Sequence, residues 1–158
     1  MNTKYKQITR EQYSKLINQA AGLSITPQPK EGWIKTVRSA LAMSGAALSK
    51  RLGGHRSTVS YLERSELDGG ITLKKMQEAA KAMHCRFVYA IVPTGGKIDS
   101  IESIIDRQAE TIARGIVEES SVHMMLEAQQ LSKAENEKEI ERLKKQIIDD
   151  MPRDFWED

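Results

Sequence analysis

Residues 44–64 read SGAALSKRLGGHRSTVSYLER. Ser44 can cap a helix, because its hydroxyl accepts one of the free N–H groups of the first turn. Ala47, Leu48 and Leu52 follow on one face at helical spacing. Gly53-Gly54 then interrupts the pattern. A sharp turn between two short helices needs backbone freedom, and glycine supplies it. A second helix is expected from near His55–Ser57 to about Arg64, with Val59 and Leu62 inward. Arg56, Ser57, Thr58, Ser60 and Tyr61 are left outward. This pattern predicts a helix-turn-helix. The second helix of such a unit enters the DNA major groove, and its first residues meet base edges. Arginine can grip guanine O6 and N7 together, while Ser and Thr reach bases or phosphates. The expected contacts to double-stranded operator DNA are therefore Ser44, His55, Arg56, Ser57, Thr58, Ser60, Tyr61 and Arg64. The competing reading is a helical hairpin buried in another kind of all-α domain.

The charge distribution agrees with a polyanion partner. The 158 residues carry a net charge of only +2. Residues 1–98 hold 16 Lys+Arg against 6 Asp+Glu, whereas residues 99–158 hold 8 against 16. The front is thus +10 and the rear −8. DNA attracts the first and repels the second, so two surfaces with different partners are expected. The single cysteine, Cys85, excludes an internal disulfide and is expected to be a small core residue. No stretch approaches the ~18 apolar residues of a membrane helix, and the start has no apolar signal core. The expectation is a cytoplasmic protein with no membrane partner.

Upstream of the quoted stretch, residues 1–8 are polar and expected to be loose. Thr9–Leu23 suggests an amphipathic helix with Tyr13, Leu16, Ile17 and Ala20 on one side, and Thr9 with Gln12 has capping-box spacing. That helix packs on the main domain or reaches across a dimer. Pro27 and Pro29 mark a linker. WIKTVRSALAM then predicts a helix that buries Trp33, Ile34, Val37, Leu41 and Met43 and closes the core. Lys35 and Arg38 lie off that stripe, either as phosphate contacts or as a solvated charged face. After a loop at 65–70, Thr72 caps a helix with Leu73, Met76, Ala79, Ala80 and Met83 inward.

Residues 85–93, CRFVYAIVP, are dense in β-formers and apolar on both faces. A lone strand needs a partner. The economical solution is the same strand of a second subunit across a two-fold axis. Phe87, Val88, Tyr89, Ala90 and Ile91 are the expected dimerisation residues, and a homodimer presents two recognition helices to a palindrome. A hairpin with another segment is the alternative.

From Lys97 onward the chain is expected to be helical. Ile101, Ile104, Ile105, Ala109, Ile112, Ile116 and Val117 form a stripe that Val122, Met125, Leu126 and Leu131 continue after a break at Ser120-Ser121. Ile140, Leu143, Ile147 and Met151 follow at near-heptad spacing, and Glu141 with Lys145 supports the last helix. Phe155 and Trp156 lie between acids at the end, either as a docking peptide or folded back on the domain.

Residues 27–158 resemble mobile mystery protein A, a family with an XRE-type, lambda-repressor-like helix-turn-helix. The resemblance rests on Pro29 with GWIKTVRSALAMS, on LSKRLG, on VSYLERSELDGGITLKKMQEAAKAMHCRFVYAIVP, on MMLEAQ and on the terminal FWED. Members are typically encoded beside a Fic-domain protein, mobile mystery protein B. The resemblance therefore implies an antitoxin for a Fic toxin that also regulates its own operon. Two positions depart from the XRE pattern. Gly45 stands where many members have a phosphate-contacting Gln, and His55 stands where many cap the recognition helix with Ser or Thr. The Fic link also directs attention to the inhibitory helix motif Ser/Thr-x-x-x-Glu-Gly/Asn. Ser132, Glu135 and Asn136 approach it with one spacer too few.

These readings give a mainly α protein: a helix-turn-helix domain, one short β-strand in an intersubunit sheet, and a C-terminal helical extension. The expected divisions are an N-terminal helix and linker at 1–31, DNA binding at 32–84, a dimerisation strand at 85–96, and acidic helices for the toxin at 97–158. Ser132, Glu135, Asn136, Phe155 and Trp156 are the candidate toxin contacts. The alternative is a dimeric repressor whose C-terminal helices only oligomerise. His55, His84 and His123 are scattered, and no metal-ligand spacing, phosphate loop or nucleophile–base pair occurs. Neither catalysis, nor a metal, nor a cofactor is expected.

Overall fold

The computed structural model describes residues 3–23, 27–95, 99–126 and 132–157. Among these the chain is mainly helical. Its elements are α1 (Thr3–Gly22), α2 (Trp33–Ala40), α3 (Gly45–Arg51), α4 (Thr58–Leu67), α5 (Leu73–Ala82), α6 (Ile101–Leu126) and α7 (Lys133–Asp150). They form two compact units. Ile25–Tyr89 is one, and Met1–Ser24 joined with Ala90–Asp158 is the other. The N-terminal helix thus groups with the C-terminal helices.

In the unit of residues 25–89, four short helices surround a core of Ile34, Leu48, Val59, Leu62, Met76, Ala79 and Met83. Two of the helices, α3 and α5, start at a local side-chain cap. Ser44 Oγ accepts from Ala47 N at 3.1 Å, and Thr72 Oγ1 accepts from Lys75 N at 3.2 Å. Several burial expectations shift. Ala47 is exposed, and Ser49 takes the inward place beside Leu48, because α3 turns its 45/48/49/52 edge to the core. Trp33, Leu41 and Leu73 stay exposed at helix ends. Cys85 is exposed rather than core, since the chain has already left α5 for the surface there.

In the other unit, α6 and α7 lie against each other. Ile105, Ala109, Ala113 and Val117 of α6 are buried, as is Ile140 of α7, with Leu143, Ile147 and Met151 packed beside them. Helix α6 runs unbroken through Ser120-Ser121. Ile116 and Val122 are exposed on it, and Leu131 lies outside the described residues. Lys144, not Lys145, meets Glu141, at 3.3 Å, and it also reaches Asp106 across the helix pair.

Helix α1 begins at Thr3, so residues 3–8 are helical and Thr9 is interior rather than a cap. Its inward face is Ser14 and Ala21, not the Tyr13–Leu16 side. Polar bonds set this orientation. Asn18 Nδ2 donates to Glu102 Oε2 at 2.8 Å, Asn18 Oδ1 accepts from Ile101 N at 3.2 Å, and Arg10 donates to the Ile148 carbonyl at 3.2 Å.

Asp99 precedes α6. Its Oδ1 accepts from Ser103 Oγ at 2.7 Å and from Ser100 N at 3.1 Å, and Arg107 grips both oxygens. The Arg107 guanidinium foremost, then Ser103, holds this carboxyl far below the usual carboxylate range. A depressed pKa stabilises the fold above the unfolded value of about 4 and loses that contribution as pH falls through the folded value. The melting difference between wild type and Asp99→Asn is therefore expected to be constant above about pH 5 and to shrink progressively as the pH falls below about 4. Calorimetry across that range checks this, and a pH-independent difference would contradict it.

Candidate nucleic-acid interface

The outward face of α4 follows from which residues its core claims. Val59, Leu62 and Glu66 are buried. Ser57, Ser60, Tyr61 and Arg64 then fall together on the opposite side, all exposed, with Tyr61 at 68%. Thr58 is half-buried at the helix start, and His55 and Arg56 are exposed in the turn before it. Seven of the eight expected DNA contacts therefore occupy the turn and the first two turns of α4. Ser44 is separate, spent on capping α3.

The turn between α3 and α4 spans residues 52–57. Gly53 has φ +66°, a left-handed conformation costly for other residues, and a Cβ on Gly54 would lie 2.6 Å from Thr58 Oγ1. The helix starts at Thr58, later than expected. Neither His55 nor Ser57 gives a side-chain cap. Thr58 N instead donates to the His55 carbonyl at 2.9 Å, and Ser57 is the capping position. Arg56 thus lies in the turn rather than on the helix.

Two anchors hold α4 to α2. One is Arg38, whose Nε donates to Glu63 at 2.7 Å and whose NH1 donates to the Met43 carbonyl at 3.0 Å. These bonds spend Arg38 on the fold instead of on a phosphate, while Lys35 pairs with Glu31 on the surface at 3.0 Å. The other anchor is Glu66, in a stretch expected to be loop. Its carboxylate is buried and accepts from Trp33 N at 2.6 Å and from Ile34 N at 3.0 Å, where α2 has its free N–H groups. Gly32 makes room for it. Its φ is +79°, and a Cβ there would lie 2.8 Å from Glu66 Oε2. The S-E spacing in Ser65-Glu66 offers no cap signal within its own helix, because the helix it caps is 33 residues upstream.

Glu66 is buried and Glu63 is bound to Arg38, which leaves Asp68 at the far end of α4 as its one exposed acid. Residues 25–89 carry 11 Lys+Arg and 5 Asp+Glu. A net positive unit with a polar, cationic helix face attracts a polyanion.

Residues 85–93 follow α5 without pairing with any strand among the described residues. Phe87 packs on the core and stacks with Tyr89 at 5.7 Å between ring centres. Val88, Tyr89, Ala90 and Ile91 are exposed, Ile91 at 91%.

The candidate toxin contacts separate. Ser132 and Glu135 form a capping box: Ser132 Oγ accepts from Glu135 N at 3.3 Å, and Glu135 Oε2 accepts from Ser132 N at 2.7 Å. A spacing of three residues is what such a cap requires. The bond from Ser132 also holds the Glu135 carboxyl below its ordinary range. This carboxylate is engaged in its own helix end, and Asn136 is half-buried beside it. Phe155 is a core residue, 1% exposed against Ile105 and Ala109, so the tail folds back and its ring is not a free docking group. Gln108 Nε2 secures it by donating to the Phe155 carbonyl at 2.9 Å. Trp156 alone of the pair is exposed, at 57%.

Among the described residues no His, Cys, Asp and Glu cluster fits a metal ion, and no helix is long and apolar enough to cross a membrane. Comparisons of the chain with family models, with curated proteins and with solved structures return no match.

Proposed function

We propose that this chain is a dimeric DNA-binding antitoxin with a lambda-repressor-like helix-turn-helix. The unit of residues 25–89 reads operator DNA through the turn at 55–57 and the exposed face of α4. The observation that carries the DNA reading is the single polar stripe of Ser57, Ser60, Tyr61 and Arg64 behind Arg56, on a helix anchored through its opposite face. The exposed apolar run Val88–Ile91 supports pairing with the same run of a second copy as an intersubunit strand, because its backbone groups and side chains lack a partner strand within the described chain. The Fic toxin as partner rests on the family resemblance, and the acid-rich helices α6 and α7 with Trp156 are the surface offered to it. A dimeric repressor without a toxin is the alternative, favoured by the capping role of Ser132 and Glu135.

Arg56→Ala is expected to weaken operator binding by about 1–3 kcal/mol if it reads a guanine. Fluorescence anisotropy on a labelled duplex checks this, and unchanged affinity would remove Arg56 from the interface. Co-expression with a neighbouring Fic protein separates the two functions. A stable complex supports the antitoxin, and its absence leaves the repressor. Trp156→Ala is the variant to pair with that experiment. Removing residues 133–158 would instead strip α7 and Phe155 from the core.

A further inference from the structure

The exposed stripe of α4 holds one aromatic ring among polar groups. Ser57, Ser60 and Arg64 offer hydroxyls and a guanidinium, whereas Tyr61 offers mainly apolar surface and is 68% exposed. Its neighbours one turn away, Ser57 and Ser65, are short and leave the ring open. The ring also lines a groove with Thr58, Leu62, Ser65 and Ile71, so the fold supports it. Leu67, the other exposed large apolar residue of α4, lies at the far end of the helix, away from the turn that leads into the groove of DNA. The major groove presents one apolar feature, the C5 methyl of thymine, and its other edge groups are donors or acceptors.

We propose that Tyr61 is the specificity-determining residue for thymine, packing its ring against the C5 methyl in the major groove. This role rests on the DNA reading proposed above and names a base that it requires. Ser57 and Ser60 gain nothing from a methyl and are left for polar base edges or phosphates, and Arg56 in the turn is left for guanine. Tyr61 stands one helical turn, about 5.4 Å, beyond Ser57. Base pairs stack about 3.4 Å apart, so the thymine lies about one or two base pairs from the pair met by the turn. Each half-site then joins a G·C pair to a nearby A·T pair. The same ring rejects cytosine, which lacks the methyl and sets an N4 amino group where thymine has the O4 acceptor.

Fluorescence anisotropy of the full chain on the duplex it selects from a random pool tests this, with thymines replaced one at a time by uracil, which lacks only the methyl. One position in each half-site is expected to weaken binding about three- to ten-fold. That loss should vanish in Tyr61→Ala, which then binds thymine and uracil alike, and persist in Tyr61→Phe, which keeps the ring face. Uracil within about 1.5-fold of thymine at every position would overturn the assignment. So would a selected motif with no A·T pair beside the G·C pair, or a uracil effect that survives in Tyr61→Ala. Tyr61→Phe losing as much affinity as Tyr61→Ala would also overturn it, by making the hydroxyl the contact. A chain that binds no duplex removes the DNA reading itself, and the assignment with it.

Discussion

Phe155→Ala is expected to destabilise the unit of residues 1–24 and 90–158 by about 3–5 kcal/mol. The ring is 1% exposed, and it fills the space between Ile105 and Ala109 of α6 and the end of α7. Its removal loses apolar transfer energy and leaves a cavity that rigid helix backbones do not close. Helix α7 is capped by Met151, with φ 42°, and Pro152 follows it, so the tail turns back and brings Phe155 to the core. Trp156 stands edge-on to Phe155 at 4.7 Å and reports this unit, while Trp33 at the start of α2 reports the other. Urea unfolding of Trp33→Phe and Trp156→Phe chains follows each unit separately. Phe155→Ala should shift the Trp156 transition alone. An unshifted Trp156 transition would mean that the tail is not part of the core.

Glu66→Ala is the matching test for the unit of residues 25–89, with an expected loss of about 3–5 kcal/mol. Two charge-assisted bonds to backbone N–H groups disappear, and the donors are left without that acceptor, Ile34 N buried and Trp33 N part-buried. A small domain holds only about 5–15 kcal/mol in total, so most of its margin is lost. Glu66→Gln keeps an acceptor for only one of the two N–H groups and sets its NH2 against the other, so it should recover only part of that loss. Gly32→Ala should cost a comparable amount by a different route, since its φ of +79° and a Cβ 2.8 Å from Glu66 Oε2 both resist a side chain. The Trp33 signal measures all three. Equal stability of Glu66→Ala and wild type would contradict the anchor.

Local signals in the sequence reached as far as local chemistry extends. Ser44 and Thr72 cap the helices they precede, and Leu48, Val59, Leu62, Met76, Ala79 and Met83 are core because each repeats at helical spacing on its own element. The misses are long-range. Glu66 reads as a loop acid until α2 is brought to it, and Arg38 reads as a free cation until Glu63 is. Apolar spacing turns the Tyr13–Leu16 side of α1 inward, whereas Asn18 and Arg10 orient it through polar bonds to α6 and α7. The near-motif at Ser132 carried a legible signal that pointed elsewhere, since a serine three residues before a glutamate is a capping box. Residues 87–91 are strand-like in composition, but a strand exists only with a second one beside it.

Selection of duplexes from a random DNA pool by the full chain tests the central claim most directly, followed by a salt titration of the winner. The account predicts an enriched two-fold-related motif, affinity that falls steeply with salt, and loss of enrichment in Arg56→Ala. Recovery of an unenriched pool, with no duplex binding even at low salt, would contradict DNA reading by α4.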